Sequence, residues 1–424
     1  MEEKSKPLPA ILRIGILGAA NIARKNVKAI QHPTNRNHCK LVAIASRSET
    51  KAIQFLNDHV ATTSTEDQDQ ADDIKLYTGP NAYLELINDD TIDAVYIPLP
   101  TTLHLKYVKQ ALIEGDKHVL VEKPVAASHI EYREMINAAT MMKKYLMDGT
   151  MFVHNPRTND VCSFSTAING KDGSDSTSSN DDPQQAVTRI QSDFTFLGDD
   201  TFFTKNIRVS SNGDMLGCIG DLGWYCIRMA QLIFKESSSS ATFAQVTHHE
   251  LNEHGVPIDA TCLVTFENSE KRKKQRVKVL SFHCSFIHPL TQTITLHGLE
   301  QAITLDDFVI PREEGVQDIS LLNNEKEKTL TFEVHSQELS HADLYSIHSN
   351  EIKKSSKCKG SPQEVLMWNN FAKFCRAFDS EDDGDVKQEG RELQAISYDN
   401  QCIIDALFES ILQDGRKVPV HSNA

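Results

Sequence analysis

The chain has 424 residues, 39% hydrophobic and 24% charged, which is ordinary for a globular protein and long enough for two separate cores. A formal net charge of −15 argues against a polyanionic partner such as nucleic acid, because nothing would neutralise phosphates over an extended surface. No run reaches the length of a membrane span, the first nine residues lack the apolar centre of a secretory signal, and nine cysteines without a Cys-x-x-Cys pair read as reduced thiols; the expected setting is cytoplasmic, away from membranes.

From residue 12 to about 149 strand and helix patterns alternate. Strands are expected at 12–17, 41–45, 74–77, 94–97, 118–121 and 145–147. Between them lie helical patterns such as 102–112, with Leu105, Val108 and Leu112 on one face, and a helix opened by the capping box Ser128 and Glu131. Strands separated by helices imply right-handed crossovers and a parallel sheet covered on both faces. The expected fold class is α/β: an N-terminal Rossmann, doubly wound domain over 1–150, then a second α/β domain over 151–424. Past Met151 longer alternating segments appear at 186–196, 258–266, 276–286 and 292–297. Leu280, Phe282, Cys284 and Phe286 point one way and Val279, Ser281 and His283 the other, as in an antiparallel sheet with one face on a core. Two helices follow, one opened by Ser361, Pro362 and Glu364, the other carrying Leu393, Ile396, Ile403, Leu407 and Ile411 and ending at Gly415. Polar stretches at 62–73, 170–185 and 380–390 read as solvated loops, the middle one a flexible insertion.

The first strand runs into Gly18, Ala20 and Ala23 at the G-x-G-x-x-G spacing. Gly18 can make the tight turn, Ala20 keeps the backbone close to a pyrophosphate, and Asn21 and Ile22 open a helix whose amides and partial positive charge suit phosphates. The second strand ends in Ser46, Arg47 and Ser48 where an NAD site would carry an acid. An arginine flanked by hydroxyls can pair with a 2′-phosphate, so NADP is expected in preference to NAD. Glu122, Lys123 and Pro124 close the fifth strand, where ligands of an open parallel sheet sit. No H-E-x-x-H or Cys/His cluster is present, and the adjacent His248 and His249 point apart on a strand, so no metal is expected.

With the Gly18 turn, Glu122-Lys123-Pro124, and a second-half motif GCIGDLGWY over 217–225, the chain resembles the Gfo/Idh/MocA oxidoreductases. The stretches IPLPTTLH (97–104), MDGTMFVHNPR (147–157) and DLGWYCIR (221–228) are most similar to plant-type, uncharacterised members of the dihydrodiol dehydrogenase and D-xylose 1-dehydrogenase branch. The resemblance implies a Rossmann domain followed by a domain built on a large, mostly antiparallel sheet, with pairing through that sheet into a homodimer. It implies hydride transfer between NADP and a hydroxyl-bearing carbon of a small-molecule substrate, such as a sugar or a trans-dihydrodiol.

Asp221 and Tyr225 stand four apart, on one face of a helix expected over 216–234, and Gly217, Gly220 and Gly223 read there as room for cofactor or substrate. Family likeness makes Lys123, Asp221 and Tyr225 the catalytic set. For Tyr225 to work at neutral pH its pKa must fall from ~10 by about 3 units, or ~4 kcal/mol. One ammonium at ~4 Å in an effective dielectric of ~20 supplies about that, and Lys123 is the candidate. The residues do not decide between Tyr225 and Lys123 as acid/base. Pro100, Thr101 and His104 are expected along the cofactor crevice, with threonine at the position where the family carries asparagine. His154, Asn155, Arg157 and Arg208 are expected at the substrate. The competing readings are an NADP-binding regulator without catalysis, and a glycoside-cleaving enzyme that retains its cofactor.

Overall fold

The computed structural model describes residues 11–59, 74–167, 187–235, 239–268, 277–298, 301–311, 328–338, 348–358, 362–381 and 383–421. The loops expected at 62–73 and 170–185 lie outside these residues, as does Ser361. The described chain divides into two compact units, one of residues up to 154 together with 362–398, the other of 155–311, 328–358 and 399–421.

The first unit holds a six-stranded, all-parallel sheet of β1 (Leu12–Leu17), β2 (Cys39–Ser46), β3 (Lys75–Thr78), β4 (Ala94–Ile97), β5 (His118–Val121) and β6 (Leu146–Asp148). Its order is β3-β2-β1-β4-β5-β6, which reverses direction between β1 and β4. That reversal opens a crevice at the strands' carboxyl ends. Leu12, Ile14, Ile16, Tyr96 and Leu120 are buried because helices cover both faces. The pattern expected as one helix over 102–112 is broken into a 3-10 turn (Thr101–Leu103), an α-helix (His104–Lys109) and a π turn (Gln110–Glu114).

The split at residue 150 needs correction. Trp368, Phe371 and Phe374 of the helix Gln363–Asp379 belong to the same apolar core as β1 and β4. Asn35 Nδ2 donates to the Val365 carbonyl at 3.0 Å and Arg376 Nη2 to that of His38 at 2.6 Å. The aromatic face of this helix completes the first core, so long-range packing rather than sequence position assigns it. Pro362 flanks its first turn, and Glu364 pairs with Lys25 at 3.2 Å. The third polar stretch, 380–390, is also not a loop throughout, since the helix Gly384–Leu412 begins inside it. Its small residue Gly390 lets the helix lie against Tyr145, whose Cε2 an added Cβ would meet at 2.9 Å.

The second unit is built on β7 (Arg189–Leu197), β8 (Ser239–Leu251), β9 (Pro257–Asn268), β10 (Lys278–Ser285), β11 (Ile287–His297), β12 (Gln301–Leu305), β13 (Lys328–Glu338), β14 (His348–Cys358) and β15 (Val418–Pro419). They form one sheet in the order β14-β13-β12-β11-β7-β10-β9-β8-β15. Among the described strands of this sheet only β7 and β10 pair in parallel, so it is mostly antiparallel as expected. Leu280, Phe282 and Cys284 are buried, while Val279, Ser281 and His283 are half-buried on the other face. The helix Trp224–Lys235 covers the apolar face, with Phe234 and Phe266 rings 4.9 Å apart. Among the described residues no helix is long and apolar enough to cross a membrane.

Candidate active site

In the first unit the turn after β1 is set by Gly18, whose φ of 106° lies in the left-handed region that favours glycine. Its amide donates to Ala45 O at 2.7 Å, and an added Cβ would stand 3.1 Å from Leu99 Cδ2. Ala20 follows as the N-cap of the helix Asn21–Ile30 and gives it no side-chain cap. The Ala20 carbonyl accepts from the Ala23 amide at 3.0 Å, but no side-chain oxygen caps the first turn, and Asn21 and Ile22 are exposed there. A glycine turn leading to such a helix end suits a pyrophosphate, which would supply the missing acceptors.

Ser46 is buried at the end of β2 and its Oγ accepts from the Ser48 amide at 3.2 Å, fixing the turn that presents the exposed Arg47. Burial pushes the Tyr83 hydroxyl's pKa up, and the neighbouring Arg47 charge and its hydrogen bond pull it back. Tyr83 thus joins Gly18 and Arg47 in one corner, and its hydroxyl would lie 3.5 Å from a Cβ on Gly18. Sequence reasoning passed over it because a lone tyrosine in a short helix carries no spacing signal.

Glu122 is held by a chain of hydrogen bonds. Trp368 Nε1 donates to Asn26 Oδ1 at 2.8 Å, Asn26 Nδ2 donates to the Tyr96 hydroxyl at 2.7 Å, and that hydroxyl donates to Glu122 Oε1. All four residues are buried. Burial raises the Glu122 pKa, opposed by the Tyr96 bond and by the charge of Lys123. Gly149 leaves the carboxylate room, since a Cβ there would come within 3.0 Å of Oε2. Lys123 is half-buried at the end of β5, and its bond to Pro124 is cis.

Pro100 and Thr101 lie at the end of β4, with Thr101 buried. His104 is 1% exposed, and its ring reaches the carbonyls of Val125 (Nδ1, 3.1 Å) and Leu99 (Nε2, 2.7 Å). It ties the loop after β4 to the loop after β5, which makes it a strap rather than an open wall. His154 accepts from Asn370 Nδ2 at 2.9 Å through Nδ1.

In the second unit Asp221 lies in a π turn, Ile219–Gly223, that runs into the helix Trp224–Lys235. The continuous α-helix expected over 216–234 is therefore interrupted where its acidic residue sits. Arg208 Nε contacts Asp221 Oδ2 at 2.9 Å, and the guanidinium pKa is raised by Asp221 first and also by Asp214 and Tyr225. Arg208, Asp221 and Tyr225 consequently form one cluster. Tyr225 is 6% exposed and packs on Phe194 with ring centroids 5.7 Å apart. Gly217 and Gly223 have a packing reason instead of the one expected. Gly217 has φ 52° and a Cβ there would meet Pro257 O at 2.1 Å; one on Gly223 would meet Phe282 Cε2 at 3.0 Å. Both permit close approach to the second unit's own sheet segments.

Asn155 is buried and caps the helix Pro156–Ala167 by accepting from the Arg157 amide at 3.0 Å. Arg157, expected at the substrate, is 2% exposed and donates to Asp307 Oδ1 at 2.6 Å and to Asp307 O at 2.8 Å. Its fork is committed to a neighbouring loop.

Residues 12–150 match the family model described as Gfo/Idh/MocA oxidoreductase family, NAD-binding Rossmann fold. The chain is similar to D-xylose 1-dehydrogenase (NADP(+)) 2 of Haloferax volcanii, 29% identical over 222 residues, 52% of this chain and 57% of the relative. It is also similar to trans-1,2-dihydrobenzene-1,2-diol dehydrogenase of Xenopus laevis, 25% identical over 259 residues, 61% of this chain and 66% of the relative. In each case less than two thirds of the curated relative is spanned. Among solved structures, KijD10, a 3-ketoreductase from Actinomadura kijaniata with NADP and TDP-benzene, superposes with a TM-score of 0.64 at 19% identity, covering 94% of this chain and 98% of that one. At that identity the likeness concerns the fold.

Proposed function

We propose, from the Gfo/Idh/MocA oxidoreductase domain that residues 12–150 form, that this protein is an NADP-dependent dehydrogenase. Its substrate is a sugar or trans-dihydrodiol, oxidised or reduced at one hydroxyl-bearing carbon. The observation that carries the reading is the Glu122-Lys123-Pro124 turn at the carboxyl end of β5, with Glu122 anchored through Tyr96, in a sheet whose first turn is the left-handed Gly18. The residues at these strand ends fit a dinucleotide: Gly18, Ala20, Asn21 and Ile22 would take the pyrophosphate, Ser46 and Arg47 the 2′-phosphate, and Pro100, Thr101 and Glu122 would line the crevice.

NADP held by these residues would supply the hydride acceptor or donor. The alcohol proton goes to Tyr225 or Lys123. Arg208 neutralises Asp221 at 2.9 Å, so the carboxylate opposes ionisation of Tyr225 less than a bare one would. His154 and Asn155 complete the assigned substrate contacts, with Arg208 acting through Asp221. Preference for NADP is supported by the exposed Arg47 beside Ser46 and Tyr83, and by the cofactor named in the Haloferax relative.

We further propose a homodimer through the second unit's sheet, and a cytoplasmic setting, supported by eight free cysteines among the described residues. The test is a screen of aldoses and trans-dihydrodiols for NADP reduction, followed by Lys123→Met, Tyr225→Phe and the double variant. Each single change is expected to lower turnover at least ~100-fold. The double should lose far less than the product of the singles, because groups acting on one proton act as a unit. NADP binding without turnover of any of these alcohols would instead make the protein a regulator on the same fold.

A further inference from the structure

We infer that Asp259, His283 and His288 form a binding site for one divalent transition-metal ion on the sheet of the second unit, apart from the dehydrogenase residues. The three side chains come from β9, β10 and β11, and their ligand atoms all lie within 4.8 Å of one another. His283 Nε2 is 2.9 Å from Asp259 Oδ1, and His288 Nδ1 is 3.2 Å from the same oxygen. A zinc ion with ligands at ~2.0–2.1 Å in a tetrahedron sets those ligands ~3.3–3.4 Å apart. Admitting the ion therefore needs these two edges to open by only a few tenths of an ångström.

Register explains why the three converge. Ser285 stands opposite Asp259, and His283 opposite Thr261, so their side chains share the face of the sheet turned away from Phe282 and Cys284. The pairing of β11 with β7 is irregular between Ile287 and Thr291, and that break turns His288 toward the same point. The next strand, β8, carries His248 opposite Thr261, and its Nε2 lies 3.6 Å from Asp259 Oδ2. It is the natural fourth ligand, and because it is exposed it can swing inward.

Two further features distinguish the cluster from scattered surface histidines. Asp259 is only 3% exposed, although its partners open to solvent. The second nitrogen of His283 lies 4.0 Å from a carboxylate oxygen, Asp193 Oδ1, longer than a hydrogen bond but within a small side-chain shift of the contact that orients a metal-bound imidazole. Ser285 Oγ likewise contacts His288 Nδ1 at 2.9 Å, a contact the ion would replace. Imidazole nitrogens with one carboxylate select zinc, nickel or copper over magnesium and calcium, which take oxygen ligands. Linear motifs could not report the site, because its ligands are spread over four strands.

The test uses the full chain, stripped with chelator and titrated calorimetrically with Zn2+, with metal content checked after dialysis. One Zn2+ per chain is expected. Asp259→Asn, His283→Ala and His288→Ala should each weaken binding at least ~10-fold. His249→Ala, a neighbour on β8 that pairs opposite Ala260, should leave it unchanged. His288 is half exposed, so its variant should retain the metal-free melting temperature of the parent and separate ligand loss from misfolding. Binding of less than one equivalent, or either histidine variant taking up Zn2+ as tightly as the parent, overturns the proposal.

Discussion

Asp399→Asn should stabilise this protein at neutral pH and leave it nearly unchanged in acid. Asp399 lies on the helix Gly384–Leu412, and burial pushes its pKa from 3.8 up to about 6, with the charge of the buried Arg228 offsetting part of the effect. The folded value lies above the unfolded one. The favourable contribution of the protonated acid is thus fully present below pH ~3.8 and is lost as pH rises through about 6. A shift of ~2 units is worth ~3 kcal/mol once the group is ionised in both states. Asparagine keeps the shape and removes the charge, so its advantage should be ~3 kcal/mol at pH 8, ~1.5 kcal/mol at pH 5, and mostly gone by pH 4. Denaturant unfolding of parent and variant across that range measures it. A gain equal at pH 8 and pH 4.5 would trace to packing rather than charge, and a loss at pH 8 would mean that attraction to Arg228 outweighs desolvation.

Other expectations follow from the same coordinates. Arg47→Glu should reverse the ratio of NADP to NAD affinity, measured by fluorescence quenching, because a carboxylate repels the 2′-phosphate and accepts from ribose hydroxyls; an unchanged ratio refutes the assignment. Glu122 has its pKa raised by burial, so its favourable term is present below the ordinary 4.5 and lost as pH rises through the folded value. Glu122→Gln should therefore raise the melting temperature at pH 8 more than at pH 5, and equal shifts would show that ionisation is not the cause. Gly217→Ala should cost about 2 kcal/mol or more, from the left-handed backbone and the 2.1 Å approach to Pro257 O. Gly255→Ala, also left-handed but with nothing within 4 Å of its Cβ, should cost only ~1 kcal/mol in the same unfolding assay.

What could be read without coordinates was whatever repeats along the chain at the period of its own element. Alternation at residues 279–286 announced a sheet with one covered face, and apolar runs separated by helical patterns announced β1 to β6 in the right places. Gly18 was legible because a tight turn after a first strand demands it. The bond from Arg157 to Asp307 was not legible, since nothing along the sequence ties the two residues. The same holds for the pairing of Arg208, expected at the substrate, with Asp221. Tyr96, Asn26 and Trp368 carried no signal at all, being far apart in sequence until hydrogen bonding aligns them behind Glu122.

The sequence alone therefore determined the chain order of strands in the first sheet, its parallel direction and the residue types at strand ends, because these depend on neighbours a few positions away, whereas most of β8 and all of β12 to β15 of the second sheet were not read from it. Tertiary structure alone decided that residues 362–398 belong to the first unit, which glycines mark close packing, and which charges pair. Those outcomes depend on side chains brought together from distant positions, where burial decides how strongly each charge and each missing Cβ is felt.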